Sequence, residues 1–209
     1  MDSFLDSTVI IKYFEYDYIK EQLRKKCFEY IKSSKENILI SFIIKEEIRR
    51  VIFKRKEMYG CVLKKIRDSS YEIDYNKTNF LNKEDCIFTQ NLYLKFKEKD
   101  IVKLKKDFDS EIDFLNVSLS LFLKNKVDEI SITKQELDSS IISIIHEFIE
   151  DFADCRVLTS AIQMQQNRNI FFFVTMDKHL DSGSYDFIEN ELRLKEYKKP
   201  KLKNLLFEN

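Results

Sequence analysis

Glycine and proline are nearly missing from these 209 residues: there are two glycines, one proline and no tryptophan. So few turn formers argue against an all-β barrel or sandwich and favour long helices. Two glycines can hardly supply a GxxxxGK[ST] or GxGxxG phosphate loop, and neither motif occurs. Net charge is also missing, with 36 basic and 36 acidic residues, so bulk charge announces no nucleic-acid binder. No apolar run approaches the roughly 18 residues of a membrane-spanning helix. Asp2 and Asp6 interrupt the start of the chain, so no secretory signal is expected. Zinc-type cysteine spacing is absent too. Cys27, Cys61, Cys86 and Cys155 stand far apart, and we expect buried thiols in a reducing, cytoplasmic setting.

What is present is polarised. Lys45 to Arg67 holds nine basic residues against three acidic ones, whereas Asp128 to Asp154 holds eight acids against Lys134 alone. Hydrophobic residues make up 44% and charged residues 34%, the balance of a globular chain able to bury a core. The length suits one domain spanning 1–209.

Short β-branched runs predict strands at Phe4–Ile11 and Asn37–Ser41, and the unalternating run Ile170–Thr175 predicts a strand covered on both faces. Helical spacing is expected over Tyr13–Ser33, Phe42 to about Tyr59 (with a break at Gly60), Glu84–Phe108, Leu137–Ile149 and Asp154–Gln166. Val117–Leu123 fits a strand or a buried helix, and we favour the helix. Leu192–Tyr197 is expected as a last strand, and the residues after Pro200 as a turn or helix. Strand–helix–strand–helix, further helices, then helix–strand is an α/β layout with a mostly parallel central sheet.

In such sheets ligands bind beyond the carboxyl ends of the strands. Asp6 lies within the first apolar run, and Asp177 follows the strand ending at Thr175. Glu47 lies one to two turns into the helix after the second strand, and Asp154 opens a helix leading into the last. Four carboxylates distant in sequence can therefore converge on one rim. They repel one another without cations, and Mg²⁺ or Mn²⁺ is the natural counter-ion for oxygen ligands. Each acid also has a plainer reading. Asp6 and Asp177 suit turns, Glu47 a solvated helix face, and Asp154 an N-cap. Glu46 competes with Glu47, and Glu150 and Asp151 compete with Asp154.

The segments FLDSTVII, SFIIKEEI, DCRVLTSA and FVTMD, in this order, resemble the four acidic motifs of PIN-domain nucleases. The resemblance covers roughly the first 58 and last 60 residues. It implies a PIN-like three-layer α/β fold, with an enlarged helical section at about 61–145. It implies a metal-dependent endonuclease that hydrolyses phosphodiester bonds in RNA or single-stranded nucleic acid. Asp6, Glu47, Asp154 and Asp177 would be both catalytic and metal-binding, with Mg²⁺ or Mn²⁺ as cofactor. Ser7, Thr8 and Thr175 would support them from behind. Many members of that family are toxins of toxin–antitoxin pairs and many are dimeric, so an antitoxin partner and a homodimer are further expectations. Thr8 departs from the pattern, because that position is often Asn or Ser.

The basic residues Arg49, Arg50, Lys54, Arg55 and Lys56 are candidates for phosphate contact, and the lysines of the tail (Lys195, Lys198, Lys199, Lys201, Lys203) are weaker ones. A solvated face is the plainer reading for both. His146 and His179 are not spaced for a metal site or a catalytic pair. The alternative to a nuclease is a catalytically inactive PIN-like module that binds nucleic acid or protein. A phosphatase of the haloacid dehalogenase type also begins with an Asp after a strand, but it wants a second Asp where Thr8 stands.

Overall fold

The computed structural model describes residues 2–14, 21–35, 37–78, 80–168, 170–178 and 180–207. The chain divides into two compact units, one formed by Met1–Ile48 with Leu121–Asn209 and the other by Arg49–Ser120.

The first unit is built on five parallel strands: β1 (Asp2–Leu5), β2 (Asn37–Ser41), β3 (Val127–Ile130), β4 (Ile170–Thr175) and β5 (Lys201–Asn204). Their order across the sheet is β3-β2-β1-β4-β5. Parallel neighbours need crossovers, and helices supply them: α1 (Ser7–Phe14) and α2 (Glu21–Ser33) between β1 and β2, α6 (Ser139–His146) and α7 (Phe152–Asn167) before β4, and α8 (Ser182–Leu194) before β5. The fold is thus α/β, with an all-parallel sheet flanked by helices. β1 lies at the centre, pairing Phe4 with Leu39 on one side and with Phe173 on the other. Phe4, Leu5, Leu39, Ile40, Phe173 and Val174 are fully buried. The apolar stripe of α7 (Val157, Leu158, Ala161, Ile162) is buried as well, as helical spacing predicts.

Several elements differ from the sequence reading. The expected first strand stops at Leu5, and Ser7 to Phe14 is helix. The β-branched run Thr8-Val9-Ile10-Ile11 buries Val9 and Ile10 fully on a helix instead. β3 was not anticipated. Its sequence, Val-Asp-Glu-Ile, carries the charges of an edge strand, with Glu129 paired to Lys45 at 2.7 Å. Leu192–Tyr197 is no strand: Leu192 is a fully buried residue in the last turn of α8, which runs to Leu194, and the last strand is the Lys-rich β5. After Pro200 the chain is strand over Lys201–Asn204 and then the expected turn over 205–207. Part of the expected Tyr13–Ser33 helix, residues 15–20, lies outside the described residues.

The second unit carries most of α3 (Phe42–Arg67), then α4 (Lys83–Phe96) and most of α5 (Ile101–Lys126). The expected helix over Glu84–Phe108 is interrupted, ending at Phe96 and resuming at Ile101. Asn82 caps α4 in a reciprocal capping box with Asp85, a device worth about 1 kcal/mol. Val117–Leu123 lies inside α5, as helix. Met58, Cys61, Leu81 and Cys86 form one buried cluster of this unit, with Tyr71 and Ile73 against it. Tyr59 and Phe108 stack with centroids 3.9 Å apart. All four cysteines are free and buried. Among the described residues no helix is long and apolar enough to cross a membrane.

Gly60 does not break α3, which runs on to Arg67. A Cβ at this position would meet nothing within 4 Å, and its φ is not positive. Glycine there only adds freedom to the unfolded chain. Gly60→Ala is expected to stabilise by about 0.5–1 kcal/mol, seen as a higher urea midpoint with unchanged slope. A lower midpoint would contradict the helix interior described here.

Candidate metal centre

Asp6 is the single residue between the end of β1 and the start of α1. Its N–H donates to the carbonyl of Val174 at 2.9 Å, which extends the β1–β4 ladder by one step and holds Asp6 at the carboxyl edge of both strands. Asp177 lies two residues past the end of β4. The helix feeding a parallel strand runs back along the sheet, so the first turn of α7 returns to that same edge. Asp154 sits in that turn. Glu47 is the sixth residue of α3, which begins directly after β2.

The carboxylate of Asp6 is 6% exposed. Its Oδ2 accepts two hydroxyls, Thr8 Oγ1 at 2.6 Å and Thr175 Oγ1 at 2.6 Å. Its Oδ1 receives the Ser7 hydroxyl at 3.3 Å. Both threonines are used twice. Thr8 Oγ1 accepts the N–H of Met176 at 3.0 Å, and Thr175 Oγ1 accepts the N–H of Asp177 at 3.0 Å. A hydroxyl has one hydrogen to give. Each threonine gives it to Asp6, so the 3.4 Å approach of the two hydroxyls is a contact and not a bond between them. The result is a relay from the backbone of Asp177 through Thr175 to Asp6. Thr8 ties α1 to the chain leaving β4.

Electrostatics join the four acids. Burial pushes the Asp6 carboxyl up; the Thr175 and Thr8 hydroxyls oppose this, and the charge of Asp177 adds to it. Asp154 is pushed up to about 8, first by burial and then by the charges of Asp177, Asp6, Asp151 and Glu47. The first turn of α7 favours a charged carboxylate, yet burial and like charge prevail. Asp154 thus feels all three of the other predicted acids at once. A proton on Asp6 belongs on Oδ1, because Oδ2 already takes two donors.

The competing residues separate by position. Asp151 is the N-cap of α7, its side chain accepting the N–H of Ala153 at 2.7 Å, so Asp154 is not the cap. Glu46 forms an ion pair with Lys134 at 2.9 Å, whereas Glu47 contributes to the field on Asp154. Two supports had no sequence signal. Asn204, in the Lys-rich tail, donates to the carbonyls of Asp177 at 2.7 Å and Leu180 at 2.8 Å, fixing the turn that carries Asp177. Ser160 on α7 gives its hydrogen to the carbonyl of Val157 at 2.7 Å and accepts from the Ser41 hydroxyl at the end of β2, 3.1 Å away.

Four carboxylates in one field have the chemistry to take a hard divalent cation. Among the described residues, however, no three His, Cys, Asp or Glu side chains are grouped closely enough to hold an ion directly. Fit therefore rests on charge and oxygen donors, as for an ion that keeps most of its waters. His146 is elsewhere: its Nδ1 lies 3.1 Å from the carbonyl of Ile149 and 3.8 Å from Cys155 Sγ. His179 lies outside the described residues. Of the basic candidates, Lys54 pairs with Asp85 at 2.7 Å and Arg55 with Glu111 at 3.4 Å, whereas Arg49, Arg50 and Lys56 are exposed.

Stability in chelator should fall as pH rises, and the sign follows from Asp154. Its folded value, about 8, lies above the unfolded 3.8, so the folded state holds the extra proton between them. That contribution is complete below the unfolded value and lost as pH climbs toward 8. The melting temperature of the metal-free protein is expected to drop from pH 5 to pH 8. Asp154→Asn should flatten that slope and melt higher than wild type at pH 8. An identical slope in the variant would show that Asp154 is not the strained acid.

No family model, no curated protein and no solved structure matches this chain.

Proposed function

We propose that the chain is a PIN-like, Mg²⁺- or Mn²⁺-dependent nuclease that hydrolyses phosphodiester bonds in RNA. The observation that carries this reading is the raised carboxyl of Asp154, which feels Asp177, Asp6 and Glu47 together at the strand ends. The all-parallel five-stranded sheet with β1 at its centre supports the PIN-like assignment. So does the agreement of all four acids in order and in setting.

Asp6, Glu47, Asp154 and Asp177 would hold one or two ions. A bound ion of this kind supplies an activated water and offsets charge on phosphate oxygens. The chain's own residues do the rest. Thr8 and Thr175 fix the rotamer of Asp6 through Oδ2, which leaves Oδ1 as its less engaged oxygen. Asn204 holds the backbone of Asp177 in place. Asp154 keeps a proton near neutral pH until positive charge arrives, so binding of a cation is coupled to proton release.

A second reading, a PIN-like module without catalysis, is favoured by one observation: no three metal-ligating side chains are grouped for direct chelation among the described residues. Nuclease assays with Mn²⁺ on RNA and single-stranded DNA, and calorimetry with Mn²⁺, separate the two. The nuclease reading expects cleavage of RNA by wild type and a loss of about 10²-fold or more in Asp6→Asn, the scale for removing a group at the reacting centre. Equal activity in both proteins sinks the assignment of the site. Absence of Mn²⁺ binding with retained RNA binding selects the inactive module.

A further inference from the structure

The second unit exposes two aromatic rings side by side. Phe53 on α3 is 43% exposed, and Phe80, just before α4, is 55% exposed. Their centroids are 5.1 Å apart with the ring planes at 80°. An edge-to-face pair leaves a ring face uncovered by its partner. Rings of this size normally bury 150 Å² or more, roughly, so a solvent-facing pair is an expensive feature.

The charges around Phe53 are mostly basic. Arg49, Arg50 and Lys56 stand four and three residues before it and three after it, on the same side of the helix, and all three are exposed. No ion pair among the described residues holds them. The neighbouring basic groups that could dilute the pattern are already neutralised: Lys54 by Asp85, Arg55 by Glu111 and Lys77 by Glu72. Glu57, the acid four residues past Phe53, is half-buried and acts on Tyr71. Exposed rings among cations that keep their charge suit a polymer offering flat faces and phosphates alternately. The exposed cations are complementary to phosphates and the exposed rings to bases.

We infer that Phe53 and Phe80, framed by Arg49, Arg50 and Lys56, form a platform for single-stranded nucleic acid, the rings stacking on bases and the cations contacting phosphates. The inference takes the polymer class from the nuclease reading, and it is tested without metal so that the two can fail separately.

The test is fluorescence anisotropy in EDTA with the full-length protein. The probes are a labelled RNA of roughly 12 nucleotides, within the usual footprint of such sites, and an abasic strand of equal length. Wild type should bind RNA at least about thirtyfold more tightly than the abasic strand, the product of two stacked bases. Phe53→Ala and Phe80→Ala should each weaken RNA binding by roughly five- to a hundredfold, the scale for losing one stacked base, and leave abasic binding nearly unchanged. Phe80→Tyr should restore it. Arg50→Gln should weaken both strands alike and lower the salt slope by about one. Both rings are exposed, so matching circular dichroism and melting are expected in all variants. The inference falls if wild type binds neither strand, if it binds both equally, or if the two alanine variants bind RNA as wild type does. Self-association lost in the alanine variants, with RNA binding unchanged, would assign the rings to a second copy and overturn it as well. RNA binding of this kind without cleavage leaves the platform standing and sinks the nuclease. Cleavage and RNA binding that ignore the rings sink the platform alone.

Discussion

Asp6 is held between opposing demands, and the carboxyl edge of the sheet is arranged around them. Burial in the one-residue link between β1 and α1 disfavours its charge, and so does Asp177. Two threonine hydroxyls on Oδ2 favour that charge. Neither hydroxyl is private to Asp6, since each also accepts a backbone N–H from the chain leaving β4. Fixing the acid and fixing the loop beside it are therefore one act. Removing either threonine would leave a buried oxygen and a backbone N–H short of partners together, a loss of about 1–3 kcal/mol for each such group.

The same edge explains why Asp154 differs from the other acids along the chain. Asp151, three residues earlier, spends its charge on a helix cap, and Glu46 spends its charge on Lys134. Asp154 has burial and like charges around it instead. Where neighbours of similar sequence find ordinary employment and one residue does not, the strained one is the functional candidate.

Much of this was legible before any coordinates. The strand Ile170–Thr175 announced itself by lacking alternation, and the strand after residue 36 by its apolar run. Parallel topology then sent Asp6 and Asp177 to one rim by geometry alone. The limits are physical too. Thr8-Val9-Ile10-Ile11 has the composition of a strand, yet it folds as α1, where burial of Val9 and Ile10 is satisfied by a helix face. β3 and β5 carry Asp, Glu and Lys because they are edge strands, so the apolar signal that marks a central strand is missing from both. Gly60 looked like punctuation because a lone glycine costs a helix only about 1 kcal/mol, which the packing of α3 absorbs. Asn204 could not be found at all. Its role depends on the turn at Asp177 being beside β5, a neighbourhood that exists only after folding.

The position of β1 has a consequence for when this protein becomes itself. One of the partners of this innermost strand lies far along the chain: Thr175 meets Asp6 across 169 residues. Until β4 docks, β1 can pair on one side only, and Asp6 lacks both the Thr175 hydroxyl and the Val174 carbonyl that seat it. Contacts so distant in sequence close slowly and late. The seat of Asp6 is thus a long-range product of the fold, complete only when β4 has joined the sheet beside β1.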